Sequence, residues 1–387
     1  MKAIKKNNIV HTKLIYLLLA SFLIVFLGCS NTDDINDNEK PKQKDNTGVY
    51  VTGGTFKNNI SIAKYWENGV TYAISDSTST ATTRSLAETN SIFVYEGIIY
   101  IAGTEGNGST SVAKYWTVEN GKTEEHILTK DVMKWAMANS IFVSNNVVHV
   151  VGYETNAFTY GNKTKYWTIN KGGEAVEHNI FDDNIWQNPT SIFVSNGDVY
   201  ISVFHEEADK GIGEAKYLKN GVSYDITDGT KRAVPNSIFK SNGIVYVAGK
   251  EKNGITNTDI AKYWTIENGN PPVEHVLIND DNNSDANSIF ISNNIIYIAG
   301  YESNGTVRIA KYWTIENGEK KEYSLSKGES HANANSIFVF NDIIYVAGEE
   351  YNGTVRVAKY WTIEKGNTPV EHILSNDSYA SSIFFSK

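Results

Sequence analysis

Seven residues of this 387-residue chain share one offset from a repeated tripeptide and are of types that suit ligand binding. Each stands five positions before a copy of Ser-Ile-Phe: Leu86, Trp135, Trp186, Arg232, Asn283, His331 and Asp377. Six of the eight tryptophans belong to another repeated motif, Lys-Tyr-Trp, and the remaining two, Trp135 and Trp186, both fall in this set. Aromatic side chains beside polar and charged groups suit sugar or peptide ligands. We therefore expect a binding site here; the alternative is that the two tryptophans only fill gaps between loops.

Catalytic chemistry has weaker support. The chain has no Gly-x-Ser-x-Gly elbow, no His-Glu-x-x-His and no phosphate-binding glycine loop. Glu206, Glu207 and Asp209 could serve glycoside hydrolysis, but no pattern locates the second acid that such a reaction needs. The acids and amides of residues 279–287, "NDDNNSDAN", could hold calcium, although they lack the order of an EF-hand loop. We assign no catalytic residue, no metal ligand and no cofactor, and we favour a protein that is not an enzyme.

The elements that must position these residues follow from an internal repeat. Ser-Ile-Phe and Lys-Tyr each occur seven times, at intervals of about 46–51 residues. One unit, Asn287–Ser326, breaks at Asn- and Gly-containing turns into four short extended pieces. We name them strands a (with Ser-Ile-Phe), b (with Ile-Tyr-Ile-Ala-Gly), c (with Lys-Tyr-Trp) and d. Four strands in such a unit are typical of a propeller blade.

The phase of the repeat predicts a closed ring. The first unit begins at Val49 with strand b and has no strand a, whereas the chain ends on a lone strand a, Ser381–Lys387. Pairing the two would complete the first blade and remove the exposed sheet edges. We therefore predict an all-β fold over residues 49–387: a seven-bladed β-propeller of four-stranded blades that is closed by the C-terminal strand.

The repeated side chains have structural interpretations in such a ring. Tyr and Trp of strand c alternate in direction and should pack against the two neighbouring blades, with Leu218 replacing Trp in the fourth. The adjacent lysine should lay its stem over an aromatic ring and keep its ammonium in water. Four histidines on the outer strands d, too far apart to share one metal ion, are expected to be half-buried rings: His126, His178, His275 and His372. The asparagine before Ser-Ile-Phe should satisfy backbone groups at the start of strand a.

Strand direction separates the loops into two sets. The b–c and d–a loops should emerge on one side of the ring and the short a–b and c–d turns on the other. The first set is longer and more varied, as in "GYETNAFTYGNKT" and "TKDVMKWAMAN". Variation confined to one face of a regular scaffold indicates function. The seven residues with the shared offset lie in these loops, where they would rim the central opening.

The N-terminus predicts export. Basic residues precede an apolar run, Leu14–Gly28, which is short for a membrane span, and the only cysteine follows, Cys29. We interpret residues 1–28 as a signal peptide and residues 29–48, which are polar and poor in apolar residues, as a tether without fixed structure. The formal net charge of −9 argues against nucleic acid as a partner. A closed ring needs no second subunit, so we expect a monomer.

Three resemblances add to this. "FLGCS" resembles the lipobox of bacterial lipoproteins, with Phe26 in place of the usual leucine, which implies a lipid on Cys29. The acidic run after it is similar to the surface-export signal of Bacteroidota-type lipoproteins, which implies an outer-membrane protein facing the cell surface or the periplasm. "VYVTGG…AKYW" resembles kelch repeats, as in secreted proteins of unassigned function from this bacterial group. We expect a surface-tethered, non-catalytic module that binds a glycan or a protein; the alternatives are a carbohydrate-active hydrolase or lyase and a scaffold for a membrane complex.

Overall fold

The computed structural model describes residues 48–57, 60–75, 86–106, 109–129, 135–155, 162–178, 180, 186–206, 212–267, 270–278, 282–364 and 367–387. The signal peptide, Cys29 and most of the predicted tether lie outside these residues. Among the residues that are described, no helix is long and apolar enough to cross a membrane.

The described residues form 28 β-strands. The first two blades and the start of the third contain β1 (Gly48–Lys57), β2 (Ile60–Glu67), β3 (Val70–Ala73), β4 (Leu86–Tyr95), β5 (Ile98–Gly106), β6 (Ser111–Glu119), β7 (Lys122–Ile127), β8 (Ala136–Ser144), β9 (Val147–Thr155) and β10 (Asn162–Asn170). The middle of the chain contains β11 (Val176–His178), β12 (Trp186–Ser195), β13 (Asp198–Glu206), β14 (Gly213–Lys219), β15 (Val222–Asp225), β16 (Ala233–Ser241), β17 (Ile244–Lys252), β18 (Asp259–Ile266) and β19 (Val273–Val276). The last strands are β20 (Ser284–Ser292), β21 (Ile295–Ser303), β22 (Arg308–Glu316), β23 (Glu319–Ser324), β24 (Ala332–Phe340), β25 (Ile343–Tyr351), β26 (Arg356–Glu364), β27 (Val370–Asn376) and β28 (Ser378–Ser386).

The strands make seven four-stranded antiparallel sheets, which confirms the predicted propeller. We number the blades 1 to 7 along the chain, beginning with the sheet that contains β1. In blade 1 the order is β28-β1-β2-β3, so the C-terminal strand is its strand a. Ile383 pairs with Val51, and a hydrophobic cluster that includes Trp66 and Tyr360 joins blade 7 to blade 1. The ring is therefore closed as the repeat phase predicts.

Asparagine and glycine set the tight turns on one side of the ring. Asn68 and Gly69, for example, join strands c and d of blade 1 with φ angles of 51° and 82°. Two consecutive residues with positive φ form the type I′ turn whose twist matches a hairpin, and these two residue types adopt it at low cost. We call this the turn side, and the side with the b–c and d–a connections the loop side. One d–a connection is shorter than expected, since only Asp377 separates β27 from β28.

Ser-Ile-Phe forms three closed rings around the axis. Each serine Oγ accepts a hydrogen bond of 3.1–3.4 Å from the isoleucine N–H of the next blade, and Ser382 completes the series with Ile92. The isoleucines are only 3–4 % exposed between blades. The phenylalanine rings contact one another with centroid distances of 4.4–5.2 Å in an unbroken ring of seven. Strand a has no neighbouring strand on its inner edge, so the serine satisfies an N–H that would otherwise lack a partner.

The strand-c aromatics pack the blade interfaces as predicted. The six tryptophans of the motif are 0–1 % exposed and Leu218 is 0 % exposed. Each strand-c tyrosine points from the other face of its sheet, towards the second neighbouring blade. It stacks on a strand-d Tyr or His of its own blade with ring centroids 4.3–5.0 Å apart. The four histidines also hydrogen-bond a strand-c threonine through Nε2 at 2.7–3.0 Å. Burial lowers the pKa of His126, His275 and His372, so these rings are neutral packing elements.

The prediction for the strand-c lysine was wrong. In five blades its ammonium lies between a glutamate of strand b and a glutamate of strand d, and these lysines are only 6–8 % exposed. The triplets are Lys114 with Glu105 and Glu125, Lys165 with Glu154 and Glu177, Lys262 with Glu251 and Glu274, Lys311 with Glu302 and Glu322, and Lys359 with Glu350 and Glu371. Burial removes water from the ammonium group, and the two nearby carboxylates offset this cost in free energy. An ammonium in contact with water would not need them.

The asparagine before Ser-Ile-Phe occupies a β-bulge in strand a, and its amide does satisfy the backbone. Asn90 Nδ2, for example, donates to the carbonyl of Ala138 in the next blade at 3.0 Å. Asn139, Asn287 and Asn335 make the same bond to the blade that follows them. The extra residue at each bulge is thus used to join neighbouring blades.

Candidate ligand-binding site

The seven residues with the shared offset occupy equivalent backbone positions at the loop-side end of strand a. In five of them the carbonyl accepts a hydrogen bond of 2.7–3.0 Å from the strand-b end of the same blade: Trp135, Arg232, Asn283, His331 and Asp377. Leu86 and Trp186 open β4 and β12, in register with Gly106 and Glu206. The structure thus brings the backbone of all seven to one side of the ring.

The side chains of this set behave differently from one another. Trp135 is 41 % exposed, whereas the side chain of Trp186 lies outside the described part of the structure. Asn283 Oδ1 accepts the N–H of Asp259, and His331 Nδ1 accepts the N–H of Arg308. These two side chains cap strand c of the preceding blade, so the atoms that accept these hydrogen bonds are already used within the propeller. Arg232 instead places its guanidinium over the ring of Phe204, 4.8 Å from the centroid.

A second layer lies two residues further along strand a, at positions that the repeated motifs do not mark. We call it the mouth layer: Glu88, Met137, Asn188, Val234, Asp285, Asn333 and Tyr379. Its partners in strand b are, in the same order, Thr104, Tyr153, Phe204, Lys250, Tyr301, Glu349 and Gly54. Since strand a is innermost, these side chains lie at the loop-side end of the axis. Blades 5, 6 and 7 supply most of the charge.

Asp285 is a buried acid with a partner. It is 6 % exposed, and it lies 2.8 Å from Lys250 Nζ and 2.7 Å from Asn236 Nδ2, which donates to it. Burial raises the pKa of Asp285, while Lys250 opposes the rise. Burial by itself would lower the pKa of Lys250, but Asp285 and Asp259 raise it overall, which keeps this lysine charged. Lys250 and Lys252 also reach Asp259, at 3.4 and 3.0 Å.

Glu349 is a buried acid without such a partner. It is 7 % exposed, and its two oxygens accept hydrogen bonds from Asn333 Nδ2 at 3.1 Å and Asn335 Nδ2 at 2.6 Å. Within the described ranges no lysine or arginine nitrogen lies within 4 Å of this carboxyl. Burial raises the pKa of Glu349 above its usual range, and the positive charges of Arg356 and Arg308 only moderate the rise. A carboxyl of this kind can keep its proton and donate it.

Two tyrosines complete this polar arc. Burial and the negative charge of Glu88 raise the pKa of Tyr379 far above its usual range. Burial and Asp285 raise the pKa of Tyr301. Both phenols are therefore neutral and can donate or accept hydrogen bonds. The arginines extend the arc: the guanidinium of Arg308 lies 4.6 Å from the ring centroid of Tyr301, and that of Arg356 lies 5.6 Å from the ring centroid of Tyr351.

The other sequence-based candidates are only partly visible. Glu206 ends β13, while Glu207, Asp209 and residues 279–281 of the acidic segment lie outside the described part of the chain. Among the residues that are described, no group of three or more His, Cys, Asp or Glu side chains is placed to hold a metal ion.

Grooves on the turn side were not predicted. One of about 360 Å³ lies between blades 2 and 3 and is lined by Tyr100, Tyr115, His126 and Glu119 among others. Others of about 260 Å³ and 420 Å³ lie between blades 1 and 2 and between blades 4 and 5. Their floors are the stacked strand-c and strand-d rings that recur in every blade, so they are a by-product of the repeat.

Comparison with known proteins supports the fold. No family model matches the chain, and no curated protein matches it. Among solved structures, a sialidase of Trypanosoma rangeli has a TM-score of 0.50 and 11 % identity over 72 % of this chain and 54 % of its own. One of two prolyl endopeptidases has a TM-score of 0.52 and 11 % identity over 86 % of this chain and 51 % of its own. The chain thus spans about half the length of these proteins, and identities this low show a shared propeller fold only.

Proposed function

We propose that this chain is a non-catalytic binding module that holds a glycan or a peptide at the loop-side end of the propeller axis. The observation that carries the proposal is that Asp285 and Glu349 are buried where the repeat does not require an acid. At the position of Asp285 other blades have Met137 or Val234, with no loss of the blade fold. Burying a carboxyl group costs folding free energy, and side chains retained at such a cost are candidates for function.

Exposed apolar side chains on the same side support contact with a ligand. Trp135 is 41 % exposed, Phe56 50 %, Tyr351 40 % and Ile255 95 %. All four lie at the loop-side ends of strands or in the connections between them. Aromatic groups beside ordered hydrogen-bonding groups are the usual composition of a site that orients a polar ligand.

Binding to a glycan array and to immobilised peptides tests the proposal. We expect Trp135→Ala and Trp186→Ala to weaken ligand binding at least about tenfold, as removal of a central aromatic contact commonly does. The matched control is Val222→Ala, at the outer edge of blade 4, where the valine is 56 % exposed. Equal binding by wild type and both tryptophan variants would contradict a binding site on the loop side.

A carbohydrate-active enzyme is the second candidate, and Glu349 is the observation that favours it. Burial raises the pKa of Glu349, as a general acid in glycoside cleavage requires, against the lowering effect of the hydrogen bonds from Asn333 and Asn335. Release of reducing ends from a polysaccharide by purified protein, abolished in Glu349→Gln while binding persists, would establish this function. Binding without product release would favour the non-catalytic module.

The proposal includes a membrane tether through lipid on Cys29, with the monomeric propeller held at the outer membrane, facing either the cell surface or the periplasm. It rests on the resemblance of "FLGCS" to a lipobox. Cys29→Ala should move the protein from the membrane fraction to the soluble fraction. Unchanged membrane association would contradict the tether.

A further inference from the structure

Three arginines on the loop side share an arrangement that the repeat does not explain. Each guanidinium lies over an aromatic ring of a strand b: Arg232 over Phe204, Arg308 over Tyr301 and Arg356 over Tyr351, at 4.8, 4.6 and 5.6 Å from the centroids. They belong to consecutive blades, because Arg232 precedes β16 while Arg308 and Arg356 open β22 and β26. The chain therefore places three cations along one arc of the opening.

Three acids on this side, Asp259, Asp285 and Glu350, are paired with lysines. Asp259 lies within 3.4 Å of both Lys250 and Lys252, and Asp285 lies 2.8 Å from Lys250. Glu350, on the same side of blade 7, lies 2.6 Å from Lys359. In the part of the chain that the structure describes, no carboxylate oxygen lies within 4 Å of any of the three guanidinium groups. The acids named above therefore do not compensate the positive charges of the three arginines.

Glu349 is the acid that could have neutralised two of them. Both Arg308 and Arg356 are close enough to act on its charge, but its oxygens are held by Asn333 and Asn335. Burial disfavours its ionised form, so it compensates neither arginine fully. The guanidinium groups of Arg308 and Arg356 are exposed, so their positive charge can act on a ligand.

Stacking prepares a guanidinium for a planar anion. An arginine held over an aromatic face keeps the N–H groups at its edge free, and their fork matches the two oxygens of a carboxylate or a sulfate. Arg356 uses one such group on the hydroxyl of Tyr351, at 3.4 Å, and Arg308 makes no side-chain hydrogen bond among the described residues. Less rotamer entropy is lost when a side chain that is already oriented binds its partner.

We propose that the ligand of the loop side is an acidic polysaccharide, whose successive carboxylate or sulfate groups contact Arg308 and Arg356, with Arg232 further along the arc. The proposal rests on the proposed function and narrows its ligand class. A sugar ring beside the anionic groups can pack on Tyr351, which is 40 % exposed, and a ring further along the same chain can stack on Trp135 in blade 3, which is 41 % exposed. These two aromatic rings are the reason why we favour a polysaccharide over an acidic peptide.

The probes are polygalacturonate, dextran sulfate, neutral dextran and polyglutamate, measured by affinity electrophoresis and calorimetry with the purified protein. We expect wild type to bind polygalacturonate or dextran sulfate more tightly than dextran or polyglutamate, and the two acidic polymers distinguish carboxylate from sulfate. The double variant Arg308→Gln/Arg356→Gln should bind at least about tenfold more weakly and with a smaller salt dependence. Arg308→Lys/Arg356→Lys should recover only part of the loss, since lysine lacks the planar fork.

The control variant is Lys122→Gln/Lys321→Gln, which removes the same charge from exposed side chains of two outer strands and should bind as wild type does. Thermal unfolding of every variant establishes that it is folded. Tighter binding to polyglutamate, or equal binding by wild type and the arginine double variant, would overturn the inference. If a neutral glycan binds and only Trp135→Ala abolishes it, the proposed function stands and the anionic ligand is wrong. If wild type binds no polyanion, the inference fails outright.

Discussion

The lysines at the blade interfaces and the arginines at the loop-side opening carry the same charge in opposite settings. Lys311, for example, is 7 % exposed and contacts the carboxylates of Glu302 and Glu322. Arg308 begins the same strand, three residues earlier, and is exposed over a tyrosine ring without a carboxylate within 4 Å among the described residues. One strand therefore holds a fully compensated cation and an uncompensated one.

The difference separates what the ring requires from what it leaves to function. Glutamate, lysine and glutamate recur in five blades with the same geometry, so the triplet serves the packing that every interface shares. Among the residues that the structure describes, arginine occurs only in blades 5 to 7. A side chain that is repeated in every blade is explained by the scaffold, whereas one that departs from the repeat needs another reason.

The largest expected effect follows from removing residues 381–387, which tests whether interface packing holds the ring at all. The deletion removes Ile383, which is 3 % exposed, and Phe384, whose ring contacts Phe93 and Phe338. Losing two such side chains costs about 5–10 kcal/mol, as much as the whole stability of many domains. We expect no cooperative unfolding transition by circular dichroism. Deletion of Lys387 alone should leave the transition unchanged, and an unaltered melt after the longer deletion would contradict ring closure.

The second prediction compares the two cations directly. Lys311→Ala should lower the free energy of unfolding by about 2–3 kcal/mol, because it removes the ammonium that lies between the carboxylates of Glu302 and Glu322. Arg308→Gln should change it by less than about 0.5 kcal/mol, as is usual for exposed side chains. Urea unfolding of both variants measures the difference. Equal destabilisation would mean that Arg308 also serves the scaffold, and its assignment to a ligand would lose its basis.

Much of the scaffold could be predicted from sequence because its constraints are local and repeated. The distance between Ser-Ile-Phe and Lys-Tyr-Trp sets the blade, and the missing strand a at Val49 requires the strand at the C-terminus. The burial of Trp66 and its counterparts follows from alternation along strand c. None of these inferences needs the register between strands.

The compensated lysines and the buried acids could not be predicted in the same way. Glu105 and Glu125 meet Lys114 only because strands b, c and d pair in one register, which the sequence does not specify. In strand a, the bulge at Asn335 separates Ser-Ile-Phe from Asn333, so alternation counted back from the tripeptide does not tell which residues face the axis. The seven-residue set was therefore found by its unusual tryptophans, and the mouth layer beside it was missed.

The third and smallest effect concerns Glu349, which is buried as the interface lysines are but lies near the exposed arginines Arg308 and Arg356. Because burial raises its pKa in the folded state, the folded protein binds this proton more tightly than the unfolded chain does. The free energy of unfolding therefore falls as the pH rises from the pKa of Glu349 in the unfolded chain to its higher pKa in the folded protein. Above the higher pKa the full loss of stability remains. Glu349→Gln removes the titration, so its midpoint temperature should exceed that of wild type at pH 8 and differ less at pH 4.

The gain should stay below about 2 kcal/mol, since glutamine has a single acceptor oxygen and can keep only one of the two hydrogen bonds that Asn333 and Asn335 donate. Glu319→Gln is the control, because that side chain is 71 % exposed at the outer edge of blade 6 and should show no such difference. A variant less stable than wild type at pH 8 would mean that Arg308 and Arg356 hold Glu349 ionised. The two arginines would then be compensated as the lysines are, and the positive arc proposed for an anionic ligand would be neutral.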